Sequence, residues 1–536
     1  MFRMRARPAG ALPKSKLLAV LPAFDASGEE KGALRGAGIS ASLRRKLQGI
    51  SGVQVMLPSG SAESREQDPV KAARDTGANI ILQPSVRQVR DKIQVSYSLA
   101  LAASPVQIDA GEVTGAETDL FALENELAKK ICKSLELRFA VGGGQLQREE
   151  ISKADWQADY FIALGHLERR DDPIQVQKAI GLLRRIPGGE DSALVQAGLG
   201  RAYIQSYWRS ADVAEAELAK KTTERAISLD PTLHEAQVTL GNLLIATGKP
   251  EGAVEVLKKA LEARPDDPEA ILNLANALER SGRLSEAEDA YIRLVELRPT
   301  SWSSFNQLGG FYFVAKTEYT KAASAYRKAI DLNAAVAPPH TNLGAILNRL
   351  GRFDEAIVEF ERSIAIQPSP KGYSNLGTTL FDLGRFAEAV DAFEKAIALA
   401  PKNFRWRTYL ASSLEKSPAR KNDARRAYTE ALALGEEELR VDPTNAQTRV
   451  SVAGCLASLG QRDRAWTETL RAVQAAPSSP EVLVRAATNA VVLGQKAEAI
   501  RWLKTAVAKG LPVSAIKDRF RELNDDPSFK ALASGR

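Results

Sequence analysis

The chain has 536 residues, of which 44% are hydrophobic, 26% charged and 6% aromatic, with a formal net charge of +7. That balance is ordinary for folded protein and excludes wholesale disorder; the mild basicity comes without a Lys/Arg run, so no nucleic-acid partner is expected. A chain this long needs several domains or an elongated architecture rather than one compact core. In chain order, residues 1–15 form a tail whose basic start superficially suggests a leader. The apolar stretch "LLAVLP" is short, carries Pro22 and runs into Asp25 without a small-residue cleavage pattern, so it reads as a first β-strand.

Residues 16–140 read as a small α/β domain. "KLLAVLPAF" is a buried strand, "GALRGAGISASLRRKLQGI" has helical spacing and "VQVMLPS" returns to strand. "DPVKAARDTG" is a short helix with Asp68 as N-cap and Gly77 as its stop. "ANIILQPSVRQVR" and "DKIQVSYSLALAAS" are strands joined by a tight turn, the second alternating Ile93, Val95, Tyr97, Leu99 and Leu101. "VQIDAGEVTGA" adds a strand and "DLFALENELAKKICKSLEL" an amphipathic helix. "LAVLPAF", "GANIILQPSVRQVRDKIQVSYSLA" and "DLFALENELAKKI" resemble the N-terminal α/β domain of the TolB translocation protein. The acidic-glycine start of that family's first helix is replaced here by "GALRGAGIS". Residues 141–155 open on "VGGG", which lacks the Lys-Ser/Thr of a phosphate loop and reads as a linker.

From 156 to about 513 the chain is helix after helix and self-similar. A small residue recurs at Gly200, Gly241, Ala275, Gly309, Gly344, Gly377, Ala411, Ala453 and Ala487, spaced 33–35 residues apart except for intervals of 41 and 42. Prolines at 231, 265, 299, 368, 401, 443 and 477 close most units, because proline lacks the amide hydrogen that a continuing helix needs. The unit "FNQLGGFYFVAKTEYTKAASAYRKAIDLN" shows the pattern best. It resembles the tetratricopeptide repeat, and the resemblance covers about two-thirds of the chain in about ten units. The fold class is therefore mainly α: a solenoid of helix pairs behind a small α/β domain, with residues 514–536 as capping helices. Glycine or alanine lets the two helices of a unit approach, and Tyr291, Tyr326, Phe360 and Phe393 are expected to fill the space toward the next unit. The 41-residue interval is expected to carry its seven extra residues between its helices, and the 42-residue interval to lengthen its second helix.

Little in the sequence suggests catalysis. His166, His234 and His340 lie inside repeat helices without metal-ligand spacing, Cys132 and Cys455 are isolated, and no GxSxG, HExxH, Walker A or dinucleotide fingerprint occurs. The expectation is a non-enzyme with no cofactor and no catalytic or metal site. No apolar run reaches bilayer-spanning length. The pairing of this α/β domain with such repeats resembles the extracytoplasmic half of bacterial transmembrane serine/threonine kinases, yet the chain has no glycine-rich ATP loop, catalytic His-Arg-Asp or Asp-Phe-Gly. On that resemblance it is the sensory portion of a kinase-type signalling protein, periplasmic if so derived and cytoplasmic as the chain stands. The leading expectation is a scaffold that binds partner peptides or helices in the groove formed by the first helix of each repeat. Repeat register puts Asn242, Asn273, Asn276, Gln307, Asn342 and Asn375 on that face, with Arg280 and Arg349 nearby. An amide that both donates and accepts can hold peptide backbone independently of sequence, and the row is similar to the asparagine ladder of O-GlcNAc transferase. The Lys/Arg set of a two-carboxylate clamp is not matched.

Overall fold

Leu18 stands at the middle of the N-terminal sheet, in register with Val55 on one side and Ile80 on the other. The computed structural model describes residues 12–25, 30–50, 52–56, 72–73, 76–90, 92–102, 106–116, 118–139, 151, 154–169, 172–210, 212–418, 420–511, 513, 516 and 519–534. They form two compact units, 1–334 and 335–536.

The first unit begins with β1 (Lys16–Val20), β2 (Phe24–Asp25), α1 (Glu30–Gln48), β3 (Val53–Met56), β4 (Ile80–Val89), β5 (Lys92–Leu101), β6 (Gln107–Ala116) and α2 (Leu120–Ser134). Sheet order is β3-β1-β4-β5-β6, with the short β2 also paired to β4. The pairs β1–β3 and β1–β4 are parallel, as a helical crossover through α1 requires, while β4, β5 and β6 are antiparallel. Ile93, Val95, Tyr97 and Leu99 are all buried, as their alternation predicts, and Leu101 at the strand end is half-buried. The helix expected over "DPVKAARDTG" falls largely outside the described residues, including Asp68; Gly77, its expected stop, adopts a φ of +72°.

Five helix pairs complete this unit: α3 (Ala154–Glu168) with α4 (Pro173–Arg184), α5 (Ala193–Ser210) with α6 (Val213–Leu229), α7 (His234–Ala246) with α8 (Pro250–Ala263), α9 (Pro268–Arg280) with α10 (Leu284–Leu297), and α11 (Trp302–Val314) with α12 (Tyr319–Leu332). The extra residues of the long interval lengthen the helices themselves, α5 to 18 residues and α6 to 17, against 13 and 14 in α9 and α10. They do not swell the connection, because each added turn keeps its backbone hydrogen-bonded where a loop would not.

The second unit repeats the scheme: α13 (Ala337–Arg349) with α14 (Phe353–Ile366), α15 (Pro370–Asp382) with α16 (Phe386–Leu399), α17 (Phe404–Lys416) with α18 (Lys421–Val441), α19 (Ala446–Ser458) with α20 (Arg462–Ala475), and α21 (Pro480–Val492) with α22 (Lys496–Ala508), then the short α23 (Pro527–Ala533). As expected for the 42-residue interval, α18 is 21 residues long.

The repeated small residue has a direct packing cause. A Cβ on Gly344 would lie 2.7 Å from the Phe360 ring, one on Gly309 2.8 Å from Tyr326, and one on Gly377 3.0 Å from Phe393. The aromatic therefore seats on the glycine of its own unit, not only toward the neighbour as the sequence suggested. It reaches the neighbour as well: Tyr291 meets Phe311 at 5.0 Å between ring centroids, and Phe393 stacks on Tyr409 at 5.5 Å. Deleting such a buried ring costs about 3–5 kcal/mol.

In the first unit a single hydrophobic cluster runs from the sheet (Leu18, Ile80, Val95) through α1 (Ile39, Leu43, Leu47) into α3 and α5 (Phe161, Leu164, Val195, Tyr203). The α/β segment thus shares its core with the first repeats. Gln157 of α3 ties the two together: its Oε1 accepts from the Leu120 amide at 2.9 Å and its Nε2 donates to the Ile151 carbonyl at 2.9 Å. The linker expected over 141–155 lies mostly outside the described residues, but at its end Ile151 is buried and α3 starts at Ala154.

Candidate functional site: the inner faces of the repeats

In the first unit, besides the Gln157 tie, the α/β segment rests on the repeats at two further places. The first is a helix–helix contact between α1 and α3 that only glycine permits. A Cβ on Gly38 would fall 1.7 Å from the Phe161 carbonyl oxygen, and one on Gly165 2.0 Å from that of Leu34. The second joins the sheet to the connection between α10 and α11. Arg298 Nη2 donates to the Val55 carbonyl at 3.1 Å, and Thr300 Oγ1 donates to that of Gly77 at 2.8 Å. Burial pushes the Arg298 guanidinium down to about 10.

Between these anchors, α1 turns Arg44, Arg45 and Gln48 toward a cavity of about 190 Å³ whose other wall is the inner face of α5 and α7, including Arg201, Gln205, Glu235 and Asn242. Charge is settled locally. Glu168 accepts from Arg44 at 3.0 Å and from Arg201 at 2.9 Å, and Arg45 pairs with Glu235. Burial works against the Arg45 charge, but the Glu235 carboxylate outweighs it and the guanidinium holds its proton more tightly than usual. Further along, His234 Nε2 lies 2.8 Å from Asp267 Oδ2. Burial pushes the Asp267 carboxyl up, yet the His234 contact and two backbone amides outweigh it and leave it below the ordinary range.

In the second unit, the inner face of α17, α19 and α21 lines a cavity of about 380 Å³ that Arg519, Phe520 and Glu522 also border. Arg485 donates from Nη2 to the Tyr409 hydroxyl at 3.0 Å and from Nη1 to Ser451 Oγ at 3.3 Å, with its guanidinium carbon 5.6 Å from the Tyr409 ring centroid. Tyr428 donates to Glu415 Oε2 at 2.8 Å on the opposite side.

Two family models described as tetratricopeptide repeat match, one over residues 244–308 and one over 335–402. These are tetratricopeptide repeats. A thermophilic tetratricopeptide repeat protein of Thermus thermophilus is 27% identical over 34% of this chain and 98% of its own, with a TM-score of 0.29. The crystal structure of MamA is 30% identical over 30% of this chain and 95% of its own, with a TM-score of 0.28. A Rhizobium meliloti (strain 1021) protein named "Putative adenylate cyclase 3" is 25% identical over 155 residues, 28% of this chain; the chain spans only 26% of that relative's length.

The tetratricopeptide register distributes the expected groove residues over both units. Asn242 lines the cavity opposite α1. Asn273 Nδ2 is shielded from water and has no hydrogen-bond acceptor among the described residues. Asn276 Oδ1 accepts from the Tyr291 hydroxyl at 2.7 Å, and Arg280 Nη1 donates to the Ile245 carbonyl at 3.3 Å. Gln307 and Arg349 are exposed, while Asn342 and Asn375 are half-buried. Asn242, Asn273, Asn276, Arg280 and Gln307 belong to the first unit, and Asn342, Arg349 and Asn375 to the second. Sequence reasoning missed the seat of α1 and the Arg485–Tyr409 pair. The helical glycines of "RGAGIS" and "IALGHLE" are the signal that could have exposed the first.

No cluster able to hold a metal occurs among the described residues. All three histidines are buried and hydrogen-bonded, His166 to Gln175 at 2.5 Å and His340 to Glu359 at 2.6 Å. Burial raises both free thiols, Cys132 and Cys455, to about 11, which makes them poor nucleophiles. Among the described residues no helix is long and apolar enough to cross a membrane.

Proposed function

We propose that this chain is a non-enzymatic interaction scaffold that binds extended peptides or helices of partner proteins along the inner faces of its repeats. The carrying observation is α1: a helix lodged beside the inner faces of α5 and α7, with side chains meeting theirs across a polar cavity. That arrangement is a working example of how these faces receive a segment of chain. Asn273, Asn342 and Asn375 are half-buried, and side-chain amides of this kind can donate to and accept from peptide backbone where it reaches them. Selection of a random peptide library on the full chain tests the reading. Enrichment of a family of sequences, with binding weakened about tenfold or more when these three asparagines are changed to alanine, is the expected result. An empty selection, or nucleotide turnover by the purified chain, sinks it.

A second reading is the regulatory portion of a signalling enzyme whose catalytic part is elsewhere. The similarity to the Rhizobium meliloti protein named as an adenylate cyclase favours it. It predicts that the full chain changes the turnover of a cyclase or kinase domain supplied with it; unchanged turnover counts against it.

A further inference from the structure

The inner face of the second unit differs from that of the first in how its cations are placed. Among the described residues Arg485 meets the hydroxyls of Tyr409 and Ser451 and the Tyr409 ring. Arg519, from the segment after α22, borders the same cavity. Among the described residues neither guanidinium has a carboxylate within ion-pair distance, although long arginines elsewhere in this chain find one repeatedly. The proton affinity of Arg519 is lowered, first by the partial burial of its guanidinium and then by the Arg485 charge; Tyr409 and Asp382 act the other way. Two like charges at one cavity, neither in ion-pair contact with a carboxylate among the described residues, are a cost that an incoming anion lowers.

The mount is rigid. Tyr409 is stacked on Phe393 with an interplanar angle of 9° and meets Phe381 edge-on at 6.3 Å. Its hydroxyl and Ser451 Oγ each take one N–H of the Arg485 fork, out of the five that a guanidinium carries. The cavity also has acidic neighbours. Glu415 is engaged by Tyr428, and Glu522 lies at the rim with Lys416 on the α17 side.

We infer that Arg485 and Arg519, with Tyr409 between them and the α17–α21 groove, form a carboxylate-recognising anchor for an acidic peptide. This deepens the scaffold reading and rests on it. The anchor would take an Asp or Glu side chain or a C-terminal carboxylate, two sources of one chemistry.

The test is fluorescence polarisation of the full chain with three fluorescein-labelled peptides of equal length: Glu-rich with a free C-terminus, the same sequence amidated, and a neutral Gly/Ser peptide. Binding of a Glu-rich peptide is expected, at least about tenfold tighter than the neutral one and weakening as salt rises. Retention by the amidated peptide assigns the side-chain source; its loss assigns the terminal carboxylate. Arg485→Gln and Arg519→Gln should each lower affinity about tenfold, while Arg501→Gln, which removes the ion pair with Glu498, leaves it unchanged. Arg519 is exposed, so its variant keeps the test valid should Arg485→Gln unfold, as a melting curve would reveal. Equal binding of acidic and neutral peptides, no binding of the acidic ones, or affinities within about twofold of wild type in both variants overturns the inference. If library peptides bind while the arginines do not matter, this inference alone fails; if the library selection is also empty, the scaffold reading fails with it.

Discussion

The inner faces of the two units are built from the same repeat and treat charge in opposite ways. In the first unit Arg44 and Arg201 share Glu168, and Arg45 takes Glu235, so three of the arginines facing the cavity beside α1 are answered from within the unit; Arg264, which also borders it, has no carboxylate within ion-pair distance among the described residues. In the second, Arg485 meets hydroxyls and a ring, and a second arginine, Arg519, borders the same cavity. Where the chain supplies the occupant of its groove, it also supplies the counter-charges. Where it does not, Arg485 and Arg519 have no carboxylate within ion-pair distance among the described residues.

The most severe way to break the comparison is to unseat α1. Gly38→Ala puts a methyl group into the Phe161 carbonyl, and backbone on both sides leaves no side chain to yield. A loss of about 3 kcal/mol or more is expected in urea unfolding of the first unit, with α1 and β3 newly open to protease. Gly181→Ala, where an added Cβ meets nothing within 4 Å, is the control and should stabilise by about 0.5–1 kcal/mol. Equal effects from the two would refute the close approach.

The charge contrast makes a smaller, paired prediction. Glu168→Ala leaves Arg44 and Arg201, the former nearly buried, without their carboxylate and should cost about 3 kcal/mol. Arg485→Ala removes no ion pair and should change stability by less than about 1 kcal/mol, whatever it does to binding. A large stability loss in the second variant would mean that its guanidinium is structural.

Acid should act on the α1-bearing unit through His166. Burial lowers its proton affinity below that of a free imidazole, with Lys178 and Arg169 adding to this against the Gln175 hydrogen bond. The unfolded chain therefore binds the proton more readily. Stability from this group is complete above the unfolded histidine value of about 6.5 and falls as pH drops through it. Unfolding free energy measured between pH 7 and 5 should decline in the wild type, and His166→Gln should flatten part of that decline. Identical slopes would remove His166 as the cause.

How much of this was legible in the sequence depends on what repeats. The helix pairs were readable because a glycine and an aromatic recur in step, as at Gly344 with Phe360 and Gly377 with Phe393, and the packing requires that step. The alternation of β5 was readable for the same reason. The seat of α1 was not, since it is a single event between segments more than a hundred residues apart, and Gly38 and Gly165 carry no periodic signature. Arg485, Tyr409 and Arg519 escaped likewise. Repeat register places asparagines on the inner face, but it is silent about a tail that returns an arginine to the cavity of another.

The mildest prediction concerns the turns between paired helices, which both units share. Six of them place a glycine at positive φ, from +73° at Gly282 and Gly351 to +83° at Gly460, so that the following amide can close back on the helix just ended, as Arg283 does on Leu278 at 2.9 Å. The turn after α11 puts Thr317 there instead, at φ +54°. A β-branched residue in that region is strained by about 1–2 kcal/mol, partly repaid by its Oγ1 hydrogen bond to the Lys316 carbonyl at 2.7 Å. Thr317→Gly relieves the strain but adds backbone entropy to the unfolded chain, so a gain of about 0.5–1 kcal/mol is expected. The reverse change in the second unit, Gly384→Thr at φ +76°, should cost about 1–2 kcal/mol. Opposite signs in the two melting curves are required. If both variants destabilise, the threonine is held by something other than the turn, and the two units would differ in their turns as they do in their charges.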